Sequence, residues 1–204
     1  MQCCTESLKW NTKKYHRWTS KVISVIRETG GNNAQRILIL ASPKRSTFGL
    51  EPRFTNTSYM DSYMMMNWHN WAAGPNKLED HPNFWSGNGT DEQKNRMREA
   101  VQEAKNFTDR TNVPTYQGEW MPRDNRGGLL NQMEVMSFAK FFVELCKNES
   151  IPWSLNDFDQ YYDTETSTRR TKTQTHTYVL GPRRINFMFS LNMSLVLDTI
   201  VDAL

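Results

Sequence analysis

Four segments of the chain place apolar residues at helical spacing. From about Asn11 to Thr29, Tyr15, Trp18, Val22, Val25 and Ile26 line one side, and Gly30-Gly31 supplies a stop. After Thr90, which with Gln93 has the spacing of a capping box, Met97, Ala100, Val101, Ala104 and Phe107 fall on one face. A third helix is predicted near Asn131 to Lys147, with Val135, Phe138, Ala139, Phe142, Leu145 and Cys146 on its stripe, and a fourth from about Leu191. Between them lie short apolar runs: Ile37 to Leu40, Tyr63 to Met66, Val113 to Tyr116 and Ile151 to Leu155. These runs are continuous rather than alternating, which suits strands covered on both faces. The order of helix, strand, strand, helix, strand, helix, strand, helix predicts an α/β chain with a parallel sheet. Four strands with their helices make half of an eight-stranded (β/α) barrel, which takes about 250 residues, or else a small open sheet. Polar and aromatic residues gather where the apolar runs end, and this favours the barrel, whose strand ends converge on one face.

Composition excludes several classes. The 204 residues are 37% hydrophobic and 12% aromatic, with seven tryptophans, enough for a core and too much for wholesale disorder. A net charge of +3 does not argue for a nucleic-acid partner. The most apolar stretch, Ile185 to Leu204, is broken by Asn186, Asn192, Asp198 and Asp202, so no membrane span is predicted. One stretch, residues 167–190, holds five basic residues (Arg169, Arg170, Lys172, Arg183, Arg184) and no acidic one, so the rest of the chain is slightly acidic. It reads as a basic, poorly ordered excursion within a single domain of residues 1–204, and as an arm for an anionic partner only as a distant alternative. Cys3, Cys4 and Cys146 make neither a disulfide framework nor a zinc site, and His16, His81 and His176 are scattered. The start shows no signal peptide, yet sequons begin at Asn56, Asn88, Asn106, Asn148 and Asn192. The expectation is an extracellular full-length relative whose N-terminal part is missing here.

Glu119 stands at a strand end between Gly118 and Trp120. Burial against an indole raises a carboxyl's pKa and a neighbouring donor stabilises its anion, the tuning that a glycosidase nucleophile or acid requires. A strand-end glutamate in a plain salt bridge is the competing reading. His69, between Trp68 and Trp71 and flanked by Asn67 and Asn70, is placed to hydrogen-bond a sugar hydroxyl or a carboxylate, or to serve structure alone. Trp68, Trp71, Trp120 and Trp153 are flat platforms for sugar faces or core fillers. No P-loop, GxGxxG or GxSxG occurs, which removes support for nucleotide binding and serine hydrolase chemistry.

The runs Trp68-His69-Asn70-Trp71-Ala72-Ala73-Gly74, Phe84-Trp85-Ser86-Gly87, Val113-Pro114-Thr115-Tyr116-Gln117-Gly118-Glu119-Trp120 and Ile151-Pro152-Trp153 resemble the C-terminal half of a glycoside hydrolase family 5 barrel. The resemblance spans about Leu8 to Ser167 and resumes at the last helix. It implies a (β/α)8 TIM-barrel type fold of which strands five to eight are present, and retaining hydrolysis of a β-linked polysaccharide of the cellulose or β-glucan type. In that likeness Glu119 matches the nucleophile at the end of strand seven, and His69 the cleft histidine of strand six. Trp153 matches the strand-eight tryptophan under the sugar at the cleavage point. Trp71 stands where the family commonly has a tyrosine, and Trp120 adjoins the nucleophile. The family's acid/base glutamate, preceded by asparagine at the end of strand four, has only Glu6 near its place, and Glu6 follows Thr5 and reads as a loop residue. The resemblance implies no metal and no organic cofactor. The partner expected is a polysaccharide or oligosaccharide, with no nucleic acid and no membrane, acted on by a monomer. The competing expectation is a non-catalytic carbohydrate-binding remnant.

Overall fold

A computed structural model of the chain describes residues 11–74, 79, 81, 83–122, 130–156, 161–163, 165–169, 174–180, 183–189 and 192–204. Glu6, Cys3 and Cys4 lie outside the described residues. The elements are α1 (Thr12–Glu28), β1 (Leu38–Ala41), β2 (Met64–Trp71), α2 (Asp91–Thr111), β3 (Thr115–Met121), α3 (Gln132–Asn148), β4 (Trp153–Leu155), β5 (Tyr162–Asp163), β6 (Thr168–Arg169), β7 (Gln174–Leu180), β8 (Arg183–Phe189) and α4 (Met193–Asp202). Strands β1 to β4 form one sheet in sequential order, and β1 pairs with β2 in parallel, Leu38 opposite Met64 through Ala41 opposite Asn67. This is the parallel α/β arrangement expected from the chain order. Between β1 and β2 there is no α-helix among the described residues, only the short 3-10 turns Pro43–Arg45 and Thr47–Leu50.

Two compact units make up the chain. The first takes the described part of Met1–Asn70, with Arg98–Trp120 and Asn148–Ser154. Here Asn11 caps α1 by accepting from the Lys14 N–H at 2.9 Å. The helix buries Tyr15, Thr19 and Ile23, a row spaced by four, while Trp18 and Val25 of the expected stripe are exposed. The Tyr15 hydroxyl donates to the Ala41 carbonyl and so joins helix to strand. At the other end, Arg27 bonds the carbonyls of Asn33, Arg36 and Tyr63 and pairs with Asp61 at 2.8 Å. Strand β2 alternates strictly: Met64, Met66, Trp68 and Asn70 are buried, and Met65, Asn67, His69 and Trp71 are half-buried. The run at β2, expected to be covered on both faces, is therefore covered fully on one, and no residue of β1 or β4 is fully buried. Ile37 and Ile39 are 63% and 52% exposed.

The second unit takes Trp71–Met97, Met121–Lys147 and the described part of Leu155–Leu204. The expected capping box is present: Gln93 N–H donates to Thr90 Oγ1 at 3.2 Å and Thr90 N–H to Gln93 Oε1 at 3.0 Å. A second box joins Asn131 and Glu134 at the start of α3. Helix α3 buries Val135, Phe138, Ala139, Phe142, Val143 and Cys146, and burial pushes the Cys146 thiol up to about 12. The Trp85 indole N–H donates to Ser137 Oγ, and its ring meets Phe138 edge-on at 5.3 Å. Residues 167–190, expected as an excursion from the barrel, contain an antiparallel pair, β7 with β8, from Gln174 opposite Phe189 to Leu180 opposite Arg183. The physical reason lies in its β-branched and aromatic residues on either side of Gly181-Pro182, a pattern with strand rather than helix period. The pair is a sheet of its own, apart from β1 to β4.

Candidate active site

Asn67, His69, Gly118 and Glu119 come together in the first unit, near the carboxyl ends of β2 and β3. The period of two places Asn67 and His69 on the same face of β2. On β3, strict alternation would send Glu119 to the buried face of Thr115 and Gln117. The alternation breaks at Gly118-Glu119, two consecutive half-buried residues followed by buried Trp120, and Glu119 Oε2 lies 3.2 Å from His69 Nδ1. Both side chains are largely shielded, His69 at 11% exposure and Glu119 at 19%.

Asn67 fixes the chemistry of the pair. Its Oδ1 accepts the Gly118 N–H at 2.9 Å, which sets the orientation of the amide. Its Nδ2 then faces His69 Nε2 at 3.4 Å, and since an amide nitrogen only donates, Nε2 must accept. The ring proton therefore sits on Nδ1 and is donated to Glu119. Burial, first of all, holds His69 below the usual imidazole value; the Glu119 carboxylate pulls the other way, and the Arg45 cation adds to burial. A neutral His69 satisfies both the Asn67 and the Glu119 contact. Gly118 leaves room for this amide, because a Cβ there would lie 2.3 Å from Asn67 Oδ1 and would displace it. From the far side, Ser154 Oγ donates to the Gly118 carbonyl at 2.7 Å, so β4 also holds this point.

The tryptophans separate. Trp153 opens β4 half-buried and meets Trp120 edge-on at 5.4 Å and 84°. Trp120 is 0% exposed and Trp68 is likewise buried, so both are core residues rather than open platforms: their strand faces turn inward at those positions. Trp71 ends β2, half-buried, in the second unit. Glu6 lies outside the described residues, and among the described residues no group of three or more His, Cys, Asp or Glu gathers to hold a metal ion. Asn67 and Gly118 are the partners that sequence reading did not assign. Their signals were present, an asparagine two residues before the histidine on one strand and a glycine directly before the glutamate.

No protein-family profile matches the sequence, and no curated protein matches it. Solved structures share the fold. An endoglucanase has a TM-score of 0.59 at 16% identity, over 78% of this chain and 52% of its own. A tri-modular glycoside hydrolase family 5 (subfamily 4) endo-β-1,4-glucanase from Bacillus licheniformis, solved also with cellotetraose, has 0.61 at 18% identity, over 78% and 30%. A family 5 lichenase from Caldicellulosiruptor sp. F32 has 0.60 at 15% identity, over 92% and 48%. The chain spans about half, or less, of the structures it is similar to. The family whose motifs the strand ends resemble is thus the family of its structural neighbours, and the likeness establishes the fold as part of a (β/α) barrel.

Proposed function

We propose that this chain is part of a retaining β-glucan hydrolase in which Glu119 is the nucleophile. The observation that carries the reading is the Glu119 carboxylate held 3.2 Å from a neutral His69 whose tautomer is fixed by Asn67. In this scheme β1 to β4 are strands five to eight of the barrel. The Glu119 oxygen attacks the anomeric carbon, the glycosidic C–O bond breaks, and a second carboxyl about 5 Å away gives the leaving oxygen its proton. Water activated by that same carboxyl then frees the sugar from Glu119. His69 orients the attacking carboxylate, Trp153 lies beneath the sugar ring, and the Trp71 indole replaces a tyrosine hydroxyl. The substrate class is a β-linked glucan, consistent with the cellotetraose held by the Bacillus enzyme, and the chain acts as a monomer.

Calorimetric titration with cellotetraose, paired with hydrolysis of an activated aryl β-glycoside, tests this. The chain should bind and slowly hydrolyse, and Glu119→Gln should abolish turnover while changing Kd by less than about threefold. Turnover that survives Glu119→Gln would falsify the assignment. Binding without any turnover, in the wild type, would favour the carbohydrate-binding alternative. Residues 167–190 we place outside the barrel as an excursion. Their deletion is expected to change the unfolding free energy of the remainder by less than about 1 kcal/mol in a urea titration.

A further inference from the structure

Lys44 and Arg45, two successive non-glycine residues, hold left-handed backbone conformations with φ of 65° and 55°. Side chains occupy that region only where the surroundings over-determine it, and such residues cluster at functional sites. The surroundings here are tightly built. The Arg45 N–H donates to the Ser42 carbonyl at 2.9 Å, and Ser42 Oγ donates to the Ser46 carbonyl at 2.9 Å. Gly49 lies so close to Pro43 that a Cβ would sit 1.5 Å from its carbonyl oxygen, and Thr55 Oγ1 donates to the Gly49 carbonyl at 2.7 Å. The two side chains then take different directions. Lys44 Nζ lies 4.4 and 4.2 Å over the rings of Phe48 and Phe54. Arg45 has its Nε shut away from solvent.

The sheet register brings this loop to the site. Ala41 pairs with Asn67, and the Ser42 N–H donates to the Asn67 carbonyl at 2.7 Å, so the chain leaves β1 beside the strand that carries His69. We propose that Arg45 is a positioning residue of this site, a built-in cation that acts through His69 to keep the Glu119 carboxylate unneutralised. The proposal rests on the reading of Glu119 as the working carboxylate. Among the described residues, the charges that act on His69 are Glu119 and Arg45, of opposite sign. Glu119 alone would invite a second proton onto the imidazole, which would turn an orienting hydrogen bond into a full ion pair. It would also point Nε2–H at the Asn67 amide donor. Arg45 opposes that proton, so His69 remains the neutral donor and the negative charge of Glu119 stays available for attack.

Imidazole nitrogen resonances of the full chain, followed by NMR from about pH 4 to 8, read this without any glycan. Arg45→Met should raise the His69 midpoint by about half a unit or more, a threefold or greater gain in proton affinity. Arg45→Lys, which keeps the charge, should restore a midpoint near that of the wild type. The resonances of His16, which bonds Tyr59 and the Phe54 carbonyl in the same unit, report whether each variant keeps its fold. Arg45→Gln carries the same expectation should the methionine variant disturb them. A folded charge-removing variant with an unmoved His69 midpoint overturns the proposal. So does a Lys variant that behaves like the Met one. Failure to bind cellotetraose, by contrast, counts against the hydrolase reading alone.

Discussion

At the scale of single residues, the site rests on one missing side chain and one amide. A methyl group at position 118 would press on both ends of the Asn67 amide, 2.3 Å from its oxygen and 2.8 Å from its nitrogen. Gly118→Ala should cost about 1–3 kcal/mol in chemical denaturation, the usual range for overpacking. It should also release His69 from its single tautomer, visible as imidazole nitrogen shifts moving toward a mixture. Asn67→Asp tests the same lock from the other side. A carboxylate at 67 accepts where the amide donated, so it favours a proton on Nε2 and should raise the His69 midpoint. A lowered midpoint would contradict the donor role given to Nδ2. The pH dependence follows from the depressed proton affinity of His69. A buried base of this kind leaves stability intact above its ordinary value of about 6.5 and removes it as the pH falls from there toward the folded value. The native arrangement should therefore weaken on mild acidification, and the loss should be smaller in Asn67→Asp.

The elements show how far the hydrophobic pattern reaches. All four helices start within about two residues of their predicted starts, because caps such as Thr90 with Gln93 are local chemistry, as is the stop at Gly30. Which face is buried was less legible: the row Tyr15, Thr19, Ile23 carries a threonine into the core and leaves Trp18 exposed, since geometry rather than residue type selects the face. The four strands were located, but β2 and β3 run on to Trp71 and Met121, beyond the apolar runs that mark them. Strand β2 continues through Asn67, His69 and Asn70, whose polarity interrupts the apolar run where the strand meets the site. Glu119 and His69 were legible from the chain, whereas the break in alternation at Gly118 is a tertiary feature that no period shows. Arg27 tests the element scale. It gathers three carbonyls and Asp61 where α1 ends, and its hydrogen bond is the main cause that holds the Asp61 carboxyl below the usual carboxylate range. A depressed carboxyl contributes stability above its ordinary value of about 3.9 and loses it as pH falls through the folded value. Arg27→Met should cost about 1 kcal/mol near neutrality, by loss of polar partners that solvent partly screens. The difference from wild type should shrink at acid pH, and a pH-independent difference would show that packing, not the pair, is what was lost.

For the molecule as a whole, what decides the proposed reaction is how many carboxylates reach one sugar. Retaining hydrolysis needs two, and among the described residues Glu119 is the carboxylate brought to His69. The chain covers 52% of the endoglucanase and 48% of the lichenase it resembles, so about half of such a barrel has no counterpart in it. Strand β1 pairs on one side only among the described residues, with Ile37 and Ile39 exposed beside that edge. Edges of that kind invite association. The expected behaviour of the chain by itself is therefore weak or absent cleavage of polymeric β-glucan, because loss of general acid catalysis typically costs about 10²- to 10⁴-fold. An aryl glycoside whose leaving group departs without a proton should suffer least, so the ratio of aryl-glycoside to polymer turnover should exceed that of a complete family 5 endoglucanase. The measurement is kcat/KM on both substrates, for the chain and for Glu119→Gln and Glu6→Gln. If polymer cleavage is robust and disappears in Glu6→Gln, then Glu6 is the acid and the carboxylate pair is complete within these residues. If Glu6→Gln changes neither rate while Glu119→Gln removes the aryl-glycoside activity, Glu119 is the nucleophile and Glu6 is not its acid.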